Sequence, residues 1–481
     1  MKKLGAMDVA FLDVERPNTP PLVGVMIVLD PATAPDHFVR HRDILSYVER
    51  RLHLAPNLRK RLVYNPLRID EPRLVDDPDF DLEFHVRHLA LPRPRDRRQL
   101  AILNARLMSR PMDLKRPLWE LYVIEGLEEI PEYPKDAYAI VLKLHHAAFD
   151  GAAGMASIWA LMQDSPDAEP PPPAEEWQPE RKPNIADWTI SSLVEGAQQL
   201  ATNLAALPQL GERAWKGMQA QRESSTSLAP APKTRFQNAT SSHRVFDWLD
   251  MPKPEISAIR AALGKPKMND LALTIIAGGL RRYLEAKDEL PDKPLIALCP
   301  INVRGAGDPL EGGNQVTSMR VPLGTDIADP LERLAAITAA SAEGKHQAEQ
   351  LGATFFPDLM ALYPYPIRSA LLRSATALAE KRGSPMAVAN VVVSNMPPPT
   401  GDWYFAGSKF LAWAGNGMLT PGLGLFLIVA GIRTDLSISV TSTRDVLPDP
   451  AFFVECLRAS YHEVRKVAKI KPSATKTEKV A

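Results

Sequence analysis

A chain of 481 residues is too long for one ordinary core and suits two domains. Lys+Arg and Asp+Glu both number 57, so no global field draws the chain to nucleic acid or anionic lipid, and any anionic ligand must be met by a local basic cluster. Two cysteines, Cys299 and Cys456, are too few for a disulfide framework or a zinc site and suit a reducing cytoplasm.

The N-terminal stretch begins basic but meets Asp8, Asp13 and Glu15 before a signal-type apolar run can form. LVGVMIVLD (22–30), rich in branched residues, predicts a strand. Residues 37–53 predict a helix burying Phe38, Leu45, Val48 and Leu52. The same periodicity recurs in RRQLAILNARLMS at Leu100, Leu103 and Leu107. LWELYVIEGL (118–127) and YAIVLKL (138–144) predict strands, the second apolar almost throughout, as suits a strand covered on both faces. GAAGMASIWALM then predicts a helix burying Met155, Ile158 and Met162.

From Asp164 the composition becomes that of a connector, and the prolines Pro170 to Pro173 cannot continue a helix. A helix over 185–210 follows, with an apolar stripe of Ile190, Leu193, Val194, Ala197, Leu200, Leu204 and Leu207 that Pro208 should end. The stripe suits docking on the protein or contact with lipid; its opposite face lacks the basic residues that interfacial helices carry, which favours docking. From about residue 244 the alternation resumes. NDLALTIIAGGLRRYL predicts a helix, PLIALCPINVRG and AVANVVVSNMPPP strands, GLFLIVAGIRTDLSISVTST two strands, and AFFVECLRASYHEVRKV a closing helix. The longest apolar runs, 271–280 and 423–432, reach about half the length of a membrane helix. The expected organisation is an α/β lobe over 1–164, a crossover over 165–243, a second α/β lobe over 244–470, and a polar, disordered tail over 471–481, with the site between lobes.

One stretch carries chemistry. VLKLHHAAFDGAAG (141–154) ends a buried strand in His145-His146 and turns through Asp150-Gly151. Glycine at 151 permits backbone angles that other residues resist. An imidazole at such a strand end can take the proton of an alcohol attacking a carbonyl, and with a pKa of roughly 6.5 it is largely neutral at pH 7. G-x-S-x-G is absent and Cys299 has no evident activating partner, so direct transfer fits better than a covalent acyl-enzyme. The competing reading is a satisfied core histidine pair, with Asp150 merely ending the strand.

HHAAFDG resembles the active-site motif of the CoA-dependent acyltransferase superfamily (HHxxxDG), which also contains condensation domains of peptide synthetases. Other segments narrow the resemblance to the bacterial wax ester synthase/diacylglycerol acyltransferase family. They are MDVAFLDVE, FDLEFHVRHLALPRP, LMSRPMDLKRPLWELYVIEGL with Pro117-Leu118-Trp119, MNDLAL with Asn269-Asp270, PINVRG, GGNQV and VVVSNMPPP, in family order over about residues 4–465. The resemblance implies two chloramphenicol-acetyltransferase-like lobes, each a mixed sheet with flanking helices, joined by a long crossover, with an active-site tunnel between them. It implies transfer of a fatty acyl group from acyl-CoA to a long-chain alcohol or a diacylglycerol, giving a wax ester or triacylglycerol and free CoA, with acyl-CoA as cosubstrate and no bound cofactor or metal. His146 matches the general base and His145 a supporting residue. Asp150 matches a structural aspartate, with Arg304 as candidate partner. Asn269, Ser394 and Asn395 are candidates for substrate or oxyanion contact; as simpler readings, Asn269 would cap the following helix and Ser394-Asn395 would begin a turn. Pro117, Trp119, Asp270 and Gly151 support the motif.

Three departures bear on the acyl acceptor: Pro398 where the family has glycine, PLVG near residue 22, and GIRTD near 430. The alternatives are an acyltransferase acting on another hydroxyl or carrier-bound substrate, and a non-catalytic acyl-lipid-binding protein. The expected place is the cytoplasm, with peripheral contact at the inner membrane or a lipid inclusion left open.

Overall fold

Strand and helix signals alternate along this chain because two sheets must each be covered by helices. A computed structural model describes residues 2–149, 151–169, 171–172, 177–180, 184–223, 230–302, 316–351, 355–382, 388–396 and 401–472. The first part contains β1 (Lys2–Lys3), α1 (Ala6–Val14), β2 (Leu22–Asp30), α2 (His41–Glu49), β3 (Lys60–Val63), β4 (Arg73–Asp76), α3 (Leu82–His85), β5 (Val86–Ala90), α4 (Arg97–Ser109), β6 (Trp119–Glu125), β7 (Tyr138–His145) and α5 (Gly151–Ala160). The crossover helix α6 (Ile185–Glu223) leads to β8 (Arg244–Pro252), α7 (Lys253–Ala262), α8 (Met268–Ala286), β9 (Ile296–Asn302), β10 (Val316–Pro322), α9 (Pro330–Leu351), α10 (Phe355–Ala361) and α11 (Tyr365–Arg382). Then come β11 (Val391–Asn395), β12 (Tyr404–Phe405), β13 (Ser408–Asn416), β14 (Leu425–Gly431), β15 (Asp435–Thr443) and α12 (Pro450–Val467).

The strands form two six-stranded mixed sheets, ordered β12-β13-β2-β7-β6-β5 and β10-β9-β11-β14-β15-β8, and a small sheet β1-β4-β3. One face of the first sheet buries side chains of α1, α2 and α5. Its other face packs on α4 and on Phe246 and Trp248 of β8, an edge strand of the second sheet. The second sheet's core is closed by α8 and α12.

The expected split at residue 244 is crossed by β12 and β13, which join the first sheet, with β13 running antiparallel to β2. Without β13, β2 would be an unpaired edge beside the central strand. Two further expectations change. The helix expected over 37–53 covers only His41–Glu49: Asp36 and His37 take left-handed backbone (φ 59° and 54°), which stops it, and Phe38 is 57% exposed. The crossover helix does not end at Pro208 but runs through it to Glu223. A mid-helix proline costs about 3 kcal/mol, and contacts on both sides of it, Ser192 Oγ to Asp70 (3.0 Å) before and Arg213 to Asp358 (3.1 Å) after, hold the helix in place.

Gly24 of β2 lies where the central strands approach closely. A methyl group there would sit 2.2 Å from the Leu142 carbonyl oxygen and 3.3 Å from Lys143 Cα. Overpacking commonly costs about 1–3 kcal/mol when side chains can yield, and here backbone must move. Gly24→Ala is therefore expected to lose about 3 kcal/mol or more of unfolding free energy in a urea titration; an unchanged midpoint would contradict this packing.

Candidate active site

Strand β7 is central, so its last residues find acceptors on both sides. His145 N–H donates to Leu118 O (3.0 Å) and His146 N–H to Pro21 O (3.0 Å). The chain then turns: Ala148 N–H and Phe149 N–H both donate to His145 O, at 3.1 and 3.2 Å. This explains Pro117-Leu118-Trp119, which supplies one of the two acceptors. Trp119 is fully buried, its indole N–H donates to Leu58 O (2.7 Å), and its carbonyl accepts from His85 Nδ1 (2.7 Å). The His85 ring stacks on Trp119 with centroids 4.7 Å apart, and burial draws its pKa below the ordinary value. Gly151 opens α5 directly after the turn.

The two histidines occupy different environments. His145 is sealed from solvent, and its Nδ1 accepts from Ala147 N–H (3.1 Å), which places the ring proton on Nε2. That nitrogen lies 3.6 Å from the Glu15 carboxylate. His146 is half-buried, and its ring stacks on Phe11 of α1 at 4.0 Å between centroids and 25° between planes. Asp150 and Arg304, with the pairing expected of them, lie outside the described residues.

A polar row beside the histidines carries no sequence expectation. Glu120, Lys143, Gly24 and Asn416 align across β6, β7, β2 and β13. Lys143 is fully buried and donates to Glu120 Oε2 (2.9 Å), which also accepts from Tyr122 Oη (2.7 Å). Burial pulls the Lys143 pKa down against the pull of Glu120. Burial would raise that of Glu120, but Lys143, Tyr122 and Arg87 outweigh it and hold the carboxyl below its usual range. Asn416 and Asn104 exchange two amide hydrogen bonds (2.7 and 3.1 Å), tying α4 to β13. The available signal was a lysine in the apolar run YAIVLKL opposite a glutamate in LWELYVI.

The remaining candidates belong to the second sheet and its helices. Asn269 is the second residue of α8 and half-buried; Lys267 is the N-cap, so Asn269 does not cap this helix. Asp270 is buried, and its Oδ1 has no hydrogen-bond partner among the described residues. Ser394 is half-buried and Asn395 exposed at the end of β11, opposite Ile428 and Val429 of β14. Ile428 belongs to the same large apolar cluster as Leu144 and Ala147, and Met396 packs against that cluster.

A cavity of about 680 Å³ adjoins the C-terminal end of α1. Leu12, Leu62, Met112 and Leu114 form apolar wall, Arg16, Arg68, Lys115 and Arg373 surround it, and Glu15 lines it on the histidine side. Arg68, Lys115 and Arg373 are exposed. His146 is not among the lining residues; Glu15 is what connects the cavity to the pair. Among the described residues, no group of three or more His, Cys, Asp or Glu is arranged to hold a metal ion.

Burial, with Asp270 adding to it, pushes the Cys299 thiol up to about 12. A thiol so far from its thiolate is a poor nucleophile. Native protein is expected to leave Cys299 unmodified by iodoacetamide at pH 8 and to modify it in urea; rapid native labelling would reopen a cysteine mechanism.

Comparison with known proteins follows the same outline. The family model described as the wax ester synthase/diacylglycerol acyltransferase catalytic domain matches residues 4–272, and the C-terminal domain of that family matches 312–465. Two relatives from Mycobacterium tuberculosis, whose names propose a diacylglycerol O-acyltransferase activity, are each 30% identical. One aligns over 451 residues, 93% of this chain and 87% of its own length, and the other over 474 residues, 98% of both. Among solved structures, a wax ester synthase/diacylglycerol acyltransferase from Marinobacter aquaeolei shares the fold with a TM-score of 0.69, at 24% identity, over 98% of this chain and 100% of that one. The starter condensation domain of rhizomide synthetase, in complex with C8-CoA, shares it with a TM-score of 0.56, at 14% identity, over 99% and 96%.

Proposed function

This chain belongs to the wax ester synthase/diacylglycerol acyltransferase family, and we propose that it moves a fatty acyl group from acyl-CoA to the hydroxyl of a long-chain alcohol or diacylglycerol with His146 as general base. The observation that carries the reading is the His146 imidazole, half-buried at a strand end clamped from both sides. In the proposed step the acceptor oxygen attacks the thioester carbonyl while His146 takes its proton. The tetrahedral intermediate then expels CoA sulfur, which regains that proton from the imidazolium, so an ester and free CoA result.

Such an intermediate needs donors for its oxyanion, one of which is worth roughly 10²- to 10³-fold. Ser394, Asn395 and Asn269 are the proposed suppliers; Ser394 is favoured because Ile428, its register partner on β14, belongs to the apolar cluster that also holds Ala147 of the histidine turn. His145 supports the base, and Asp150 with Arg304 is proposed to tie the lobes without touching substrate. The proposed donor site for the CoA phosphates is the cavity rim of Arg68, Lys115 and Arg373, a local basic cluster in a chain of no net charge. No resident cofactor or metal takes part in this reading.

The decisive experiment follows CoA release and ester formation from palmitoyl-CoA with hexadecanol, dioleoylglycerol or neither. Wild type is expected to form ester, and His146→Ala to lose about 10²- to 10⁴-fold of the rate. Full activity in that variant would overturn the base assignment. Binding of acyl chains without turnover would favour a lipid-binding protein, and CoA release without ester a hydrolase.

Contact with a lipid surface is part of the proposal. Helix α6 docks through Trp188, Ser192 and Leu210, while Ile190, Leu193, Val194, Leu204 and Leu207 of the stripe expected to dock are 45–62% exposed. Helix α11 also exposes Ile367, Leu371 and Leu378. No helix of the described residues is long and apolar enough to cross a membrane, so contact would be peripheral. Sedimentation with phosphatidylcholine vesicles containing diolein is expected to carry wild type down. The triple variant Ile190→Ser, Leu193→Ser, Leu204→Ser should lose most of that binding at unchanged Tm; equal sedimentation would remove α6 from the contact.

A further inference from the structure

The half of the site that faces α1 has no assigned role. Phe11 of α1 lies under the His146 ring, and Glu15, the residue at the C-terminal cap of that helix, lies 3.6 Å from His145 Nε2, so one short segment reaches both histidines. The helix is itself held from the second half of the chain. The fully buried Asp13 carboxylate accepts from Ser369 Oγ (2.5 Å) and Arg373 Nε (2.9 Å) of α11, and Arg16 Nη2 donates to the Arg373 carbonyl (2.5 Å).

A histidine's terminal torsion is broad, so an imidazole at a strand end turns easily unless a neighbour fixes its plane. A general base must keep its nitrogen on the line of the attacking hydroxyl, and an error of about 1 Å costs on the order of 10²-fold. The backbone bonds of β7 fix where His146 starts, and the Phe11 stack, at 25° between planes, bears on the plane of its ring. Phe11 is the ring stacked upon it, and the Asp13 latch fixes where Phe11 stands.

We propose that Phe11 is a positioning residue for His146, setting the plane of the imidazole, and that the Asp13–Ser369–Arg373 latch transmits the position of α11 to that ring through α1. The role assigned here deepens the acyl-transfer reading and rests on it for its kinetic part. Phe11 does not touch the reacting atoms in this account; it acts through His146.

The test uses full-length protein labelled with ¹³C at histidine Cε1, with the His146 signal identified by its loss in His146→Ala. In wild type the Phe11 ring current should move that signal away from its position in Phe11→Leu, while Phe11→Tyr, which keeps a ring, should retain it. Phe11→Leu should lower kcat about tenfold or more with KM for acyl-CoA within about twofold, and Phe11→Tyr should keep most of kcat. Arg373→Ala, on a surface residue that meets neither histidine ring, should shift the His146 signal towards its Phe11→Leu position in ligand-free protein. An unmoved signal in Phe11→Leu would overturn the proposal, as would equal kcat losses in Leu and Tyr variants or a loss confined to KM. A His146 signal unchanged in Arg373→Ala would overturn the latch. If wild type turns over no acceptor, the acyl-transfer reading fails, while the signals still decide whether Phe11 orients the ring.

Discussion

Two consecutive backbone hydrogen bonds at the end of β7 govern the site. His145 N–H must reach the Leu118 carbonyl on one side and His146 N–H the Pro21 carbonyl on the other, which is possible only for a strand with a neighbour on each flank. Because successive side chains of a strand leave on opposite faces, the same geometry sends the paired histidines into unlike surroundings. His145 is sealed and spends Nδ1 on the backbone of the turn, while His146 keeps partial exposure against Phe11. A slip of one residue in register would exchange the two, which is why the neighbouring packing must be exact enough to exclude a side chain at Gly24.

The second constraint is that the two halves share strands. Strand β15 alternates strictly: Leu436, Ile438 and Val440 enter the second core, while the buried Ser439 and Thr441 turn towards β13. Their hydroxyls bond the β13 segment, Ser439 Oγ donating to Gly415 O (2.7 Å) and Thr441 Oγ accepting from Gly417 N–H (3.1 Å). A strand with one polar face usually marks solvent, yet here that face is interior because its hydroxyls have partners. Through β13, the Asn416–Asn104 pair and the Lys143–Glu120 row, the histidine strand is braced by residues about 270 positions away in sequence.

This division explains what the sequence could tell. The strands β2, β6, β7 and the helices α4, α8 and α12 were legible because each carries its own periodicity, and the motif at 145–151 stood out by composition. The bounds of α2 were not, because left-handed residues 36 and 37 interrupt a pattern that continues in the letters. Membership of β13 in the first sheet was invisible, since pairing with β2 leaves no local trace. The stripe of α6 was visible but its partner was not: Trp188, Ser192 and Leu210 dock, and no count of apolar letters predicts that a tryptophan and a serine outrank five aliphatic residues. Phe11 was legible only as part of MDVAFLDVE, because a ring contact between residues 11 and 146 requires the fold.

The balance of charge over the whole molecule then acquires a meaning that composition alone lacked. The proposed donor carries several phosphate charges and the proposed acceptors carry none, so a protein with one overall field would favour one substrate's approach at the expense of the other's handling. Here Arg68, Lys115 and Arg373 stand together at one cavity rim, while apolar residues stand outward on α6 and α11. In the proposed reaction the two approaches end at one imidazole, and α1 touches the determinants of both: it lines the cavity through Leu12 and Asp13, and it is latched to α11 through Asp13. A helix of nine residues so placed links substrate entry to ring orientation without contributing a reacting atom.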